Sequence, residues 1–144
     1  MLIYLDNCCF NRPYDDQGQL KIRLESEAKL VIQERIIRGE LKLIWSFILE
    51  YENDDNPFAE RRRNIEKWRS VASEIVLETE PLIGLASDFN KMGLKAKDSL
   101  HLAAATVSNC IYFITTDDGI MKKANLITSF KVINPVDFFT KELQ

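Results

Sequence analysis

Residues 95–118 read KAKDSLHLAAATVSNCIYFITTDD, and the order of chemistry within this stretch decides the fold. Its first half, Lys97 to Val107, is rich in Ala and Leu, which are strong helix formers, and predicts a buried helix. Its second half passes straight into Ile111 to Thr115, a short apolar run of the kind that forms an interior strand. That strand runs out into two acids, Asp117 and Asp118. A helix delivering the chain to a short apolar strand is half of a parallel β-α-β unit, and the same alternation continues in both directions from here.

Toward the N-terminus, further apolar runs lie at Leu2 to Leu5, Leu41 to Trp45 and Ile75 to Leu77, and toward the C-terminus at Lys131 to Ile133. With Ile111 to Thr115 they predict five strands in a mostly parallel sheet. Between the first two, Leu24, Ala28, Val31, Ile32 and Ile36 recur at helical spacing, with Gly39 placed to end that helix. Asn56-Pro57 resembles a helix start, with a capping side chain before a proline, and predicts a charged helix over Ala59 to Val71. Thr79 opens another helix, carrying Leu82, Ile83, Leu85, Ala86 and Phe89. The last two span Asp117 to Asn125 and a short stretch after Pro135. Asn7 to Gln19 reads as a long loop, the only one whose length alone suggests function. No linker or internal repeat divides residues 1–144, so the chain reads as one α/β domain.

Composition narrows the functions open to it. With 144 residues, 46% of them apolar and 10% aromatic, the chain has the material for a core and is not a disordered segment. Its apolar runs fall far short of the ~20 residues that cross a bilayer, and MLIYL meets Asp6 too soon for a signal peptide. A cytoplasmic protein is expected. Three cysteines, two of them the adjacent Cys8 and Cys9, give no disulfide framework and no CxxC motif. One histidine, His101, is too few for the common zinc sites. A net charge of −3 provides no general field toward nucleic acid, so any such contact must come from a local patch.

The acids fall where chemistry is expected. In an open parallel sheet, ligands bind in the crevice outside the carboxyl ends of the strands. Asp6 ends the first strand, Glu50 and Glu52 follow the second, and Asp117 with Asp118 ends the fourth. Asp98 begins the Ala-rich helix, on the side of Leu94, Leu102 and Ala105 by the three-and-four rule. Each acid has an ordinary reading as a turn former, a cap or a solvated charge. The topology, however, carries all of them to one edge of the sheet. Two unit charges about 4 Å apart repel by about 4 kcal/mol at an effective dielectric near 20, so a converging set calls for a divalent cation. All-oxygen ligands favour Mg²⁺ or Mn²⁺, one ion or two, and such a metal supports phosphodiester hydrolysis.

In the order of these residues the chain resembles the PIN-domain ribonucleases, which include the nuclease toxins of bacterial toxin–antitoxin pairs. The resemblance rests on IYLD at Asp6, SFILEYE at Glu52, KDSLHLAAA at Asp98 and FITTDD at Asp117, with KVINPVDFF as the closing strand and helix. It implies a three-layer α/β/α sandwich around about five mostly parallel strands. It also implies that Asp6, Glu52, Asp98 and Asp117 form the metal site and act catalytically, with Asp118 as a supplementary ligand. The distance of the second acid from Ser46 in that family favours Glu52 over Glu50. The substrate implied is single-stranded RNA, the partners an antitoxin protein and a second copy of the chain.

Arg12, beside Asp6, is the candidate for a substrate phosphate, and Thr115 the hydroxyl that orients the site. The basic run Arg61, Arg62, Arg63, Lys67 and Arg69 reads as a solvated helix face with Trp68 as its apolar anchor, and His101 as a packed residue close to the site. Two other readings compete. A haloacid-dehalogenase-like phosphatase needs a second acid two residues after the first, where this chain has Cys8. A non-catalytic PIN-like scaffold would bind RNA or protein without cutting.

Overall fold

A parallel sheet buried on both faces needs strands that are apolar throughout, and the five runs meet that demand. The computed structural model describes Met1 to Leu143, and in it the strands are β1 (Leu2–Leu5), β2 (Lys42–Ser46), β3 (Glu74–Val76), β4 (Tyr112–Ile114) and β5 (Lys131–Ile133). They form one five-stranded sheet in the order β3-β2-β1-β4-β5, with every pairing parallel. Strands β2 and β3 are displaced by a residue from the limits read in the sequence, and β4 is shorter at both ends. Thr115, expected at the end of β4, lies just beyond it.

The helices are α1 (Asn7–Asn11), α2 (Leu20–Ile37), α3 (Phe47–Asp54), α4 (Ala59–Val71), α5 (Glu80–Lys91), α6 (Ala96–Val107), α7 (Asp118–Met121) and α8 (Pro135–Glu142). From β1 the chain moves through α2 to β2, and from β3 it returns through α5 and α6 to β4 on the other side of β1. These crossovers run in opposite directions along the sheet, so their right-handedness places the helices on opposite faces. Helix α2 packs with α8, and α5 with α6. Ile3, Tyr4, Leu5, Leu43, Ile44, Trp45, Phe113 and Ile114 fill the middle layer, fully buried. None of the described helices is long and apolar enough to cross a membrane.

Several local expectations are corrected. Asn7 to Gln19 is not an open loop: it holds α1 and a 3₁₀ turn at Arg12–Tyr14. Helix α4 begins at Ala59 with Phe58 in the capping position, while Asn56 Oδ1 accepts the Phe58 amide (3.1 Å) in a turn of its own. The segment after β4 is split into α7 and a 3₁₀ turn at Ala124–Leu126 rather than continuing to Asn125. On α2, Ala28, Ile32 and Ile36 are buried as their spacing suggests, and Gly39 takes the left-handed conformation (φ 79°) that ends the helix. Leu24 instead faces solvent, because the buried side of α2 also carries Glu25, Ser26, Lys29 and Gln33. Glu25 is tolerated there because it accepts from Arg12 Nε (3.0 Å) and from the Asn134 amide.

Candidate active site

The strand order reverses direction at β1, so the crevice between the carboxyl ends of β1 and β4 is the topological switch point of the sheet. Asp6 leaves β1 at this place and is 4% exposed. One oxygen, Oδ1, accepts the Asn7 amide (2.8 Å), starting α1; the other, Oδ2, accepts the Thr115 hydroxyl (2.8 Å) and the Cys8 thiol (3.4 Å). Thr115 in turn accepts the Asp117 amide through Oγ1 (3.0 Å). A single hydroxyl thus ties the end of β1 to the end of β4. Asp117 caps α7 by accepting the Ile120 amide at Oδ1 (2.9 Å).

Glu52 and Glu50 part company on α3. Glu52 turns to the crevice, where it meets His101 Nε2 through Oε1 and the Asn7 side-chain amide through Oε2 (3.2 Å). Glu50 turns outward and binds Arg69 (2.8 Å). Residues two apart on a helix cannot share a face, and the second acid at the switch point is Glu52.

His101 is fully buried at the floor of the site, one turn beyond Asp98 on α6. Its Nε2 faces Glu52 and lies 3.7 Å from Asp6 Oδ1, and its Nδ1 is 2.6 Å from the Tyr4 hydroxyl. Tyr4 continues to Ser46 Oγ (2.6 Å), which also caps α3 by accepting the Leu49 amide. Burial opposes charge on the imidazole, but Asp6, Glu52 and Asp98 together outweigh it and hold its pKa above the ordinary value. Tyr4 stays neutral, its pKa pushed well up by burial above all.

Asp98 is half-buried at the start of α6. Its pKa is raised to about 6, first by burial and then by the charges of Asp117 and Asp6, against the pull of His101. The charges that act on Asp98 are those of Asp117, Asp6, His101 and Glu52. Asp118 is not among them; it is largely exposed and lies 3.7 Å from Lys21. Arg12 is also turned elsewhere, pairing with Asp15 and Glu25 at 3.0 Å each.

The donors suit a hard divalent cation, being carboxylate oxygens whose repulsion such an ion would relieve. Among the described residues, no three His, Cys, Asp or Glu side chains converge on one point closely enough to form a coordination shell. The acids share the crevice without closing on an ion's position. Two of its members, Tyr4 and Asn7, went unrecognised in the sequence. A signal for Tyr4 was present, since residues two apart on a strand project to the same side and Tyr4 stands two before Asp6. Asn7 offered none, because its role depends on α1.

By sequence, the chain matches no family model and no curated protein. In three dimensions it is similar to VapBC2 from Rickettsia felis, solved bound to a DNA fragment from their promoter, with a TM-score of 0.60 and 14% identity over 93% of this chain and 98% of that one. It is also similar to VapBC-1 from nontypeable Haemophilus influenzae, with a TM-score of 0.58 and 18% identity over 94% and 98%. At such identities the likeness is one of fold, and the fold is the PIN-like α/β arrangement that the order of acids implied.

Proposed function

We propose that this chain is a metal-dependent endoribonuclease that hydrolyses phosphodiester bonds of single-stranded RNA, and that it is the toxin of a toxin–antitoxin pair. The observation that supports this reading is the bonding of Glu52 and Asp6 to one another's neighbours at the switch point, with His101 against both acids, Thr115 joining Asp6 to the Asp117 amide, and Asp98 one turn before His101 on α6. A phosphatase of the dehalogenase kind would need an acid where Cys8 stands, and Cys8 donates to Asp6 instead. Both similar structures are VapBC assemblies, which supports an antitoxin partner.

In this reading Asp6, Glu52, Asp98 and Asp117 hold Mg²⁺ or Mn²⁺. The bound cation would supply Lewis-acid charge at the phosphate and lower the pKa of water. The chain's own residues set the positions. Thr115 fixes the rotation of Asp6, and Asn7 and His101 hold Glu52 on the crevice side of α3.

The test is Mn²⁺-dependent cleavage of a single-stranded RNA by the wild-type chain and by Asp6→Asn. Cleavage lost in the variant supports the nuclease. Turnover of a small phosphomonoester would support the phosphatase, and RNA binding without turnover would support the scaffold.

A further inference from the structure

One cleft touches the acid cluster and is lined by charge of the opposite sign. It measures about 300 Å³ and is bounded by Gly93, Leu94, Lys95, Asp98, Gly119, Lys122 and Lys123. Lys95 stands at the start of α6, one turn before Asp98, while Lys122 and Lys123 follow α7, which Asp117 caps. The cleft therefore opens between the two elements that carry Asp98 and Asp117.

Its walls are built for close approach. Gly93 has φ 96°, a conformation that disfavours any side chain, and a Cβ there would come within 3.0 Å of Lys123 Nζ. Lys123 thus reaches across to the turn between α5 and α6. At Gly119 a Cβ would lie 3.0 Å from Asp117 Oδ1. Glycine at both places lets the Lys123 ammonium and the Asp117 carboxylate come close to the backbone of the cleft.

The three lysines at this cleft are also uncommitted. Among the described residues, Lys95, Lys122 and Lys123 form no ion pair. Three of the four arginines of α4 are occupied: Arg61 lies over the Phe58 ring (4.0 Å), Arg62 donates to the Asn56 carbonyl and Arg69 binds Glu50. Arg12 is held by two carboxylates. On a chain of net charge −3, uncommitted ammonium groups beside the carboxylates are what a polyanion would need in order to approach them.

We infer that Lys95, Lys122 and Lys123 form a phosphate-binding subsite that holds the RNA backbone next to the scissile bond. The inference rests on the nuclease reading and names where its substrate lies. Lysine meets phosphate as a point charge, so the subsite would hold backbone without regard to base.

The test measures binding of a fluorescent single-stranded oligoribonucleotide in chelator across a KCl series, together with KM and kcat for its cleavage in Mn²⁺. For Lys122→Ala with Lys123→Ala, the slope of log affinity against log salt should fall by about 0.7 for each phosphate that the variant no longer neutralises. KM should rise while kcat and melting temperature stay near wild type. Arg61→Ala with Arg63→Ala should leave the slope unchanged. If the wild type binds and cuts but the lysine variant keeps its slope and KM, the subsite is wrong and the nuclease reading survives. If the wild type neither binds nor cuts, both fall.

Discussion

Asp98 is the residue on which the electrostatics of the site turn. With its pKa near 6, against 3.8 ordinarily, the folded chain holds a proton that the unfolded chain releases between these values. Stability in the presence of chelator should therefore fall as pH rises from about 4 to above 6, and stay lower beyond. The shift corresponds to at most about 3 kcal/mol, and screening at a half-buried group reduces it to about 1–2. Asp98→Asn should accordingly abolish cleavage yet stabilise the chelated chain by that amount at pH 7.5, with no gain below pH 4, as urea denaturation at both pH values would show. His101 acts in the same direction, since its raised pKa contributes stability below about 6.5 that is lost as pH climbs through the folded value. Tyr4→Phe leaves His101 Nδ1 and Ser46 short of a partner and should cost about 1–3 kcal/mol. His101→Ala should cost more, because it also strips Glu52 of one of its two partners, leaving Asn7 alone. A His101→Ala chain as stable as wild type would remove the histidine from its place as the support of Glu52.

At the scale of elements, the strands and long helices were legible because each satisfies a local rule. Apolar runs make buried strands, and Thr79 caps α5 as its position suggested. The acids at the strand ends could be read because a parallel topology carries every carboxyl end to one edge. What escaped were features that depend on distant partners. Helix α1 has five residues and starts on the Asp6 carboxylate, which is itself held by Thr115 from the far side of the sequence. The buried face of α2 reads as too polar for a core until Arg12 and Asn134 are seen to meet Glu25. Arg12 shows the same effect: sequence nearness to Asp6 suggested a substrate contact, whereas folding engages it with Glu25. Arg12→Ala should thus lower stability by about 2–3 kcal/mol, less than a fully buried pair because Asn134 remains, and Glu25→Gln in the same chain should restore part of it. If Arg12→Ala instead weakens RNA binding with no change in melting temperature, the substrate role read from the sequence is the right one.

Across the whole molecule, a chain with more acids than bases sets Asp98, under the charges of Asp117, Asp6 and Glu52, beside three lysines that form no ion pair among the described residues. A domain stable by about 5–15 kcal/mol tolerates that repulsion most easily when a cation offsets it. Mn²⁺ at 100 times its dissociation constant should add about 2.7 kcal/mol, and at about 2–4 °C per kcal/mol the melting temperature should rise by several degrees. The same titration of Asp6→Asn should be nearly flat. The most direct measurement is a crystal of the wild-type chain soaked in millimolar Mn²⁺ and read by anomalous diffraction. The expected result is a peak in the crevice between β1 and β4, within bonding distance of oxygens from Asp6 and at least one of Glu52, Asp98 and Asp117. A peak elsewhere on the surface, or none in the crevice with the four side chains ordered, would contradict a metal site at the switch point.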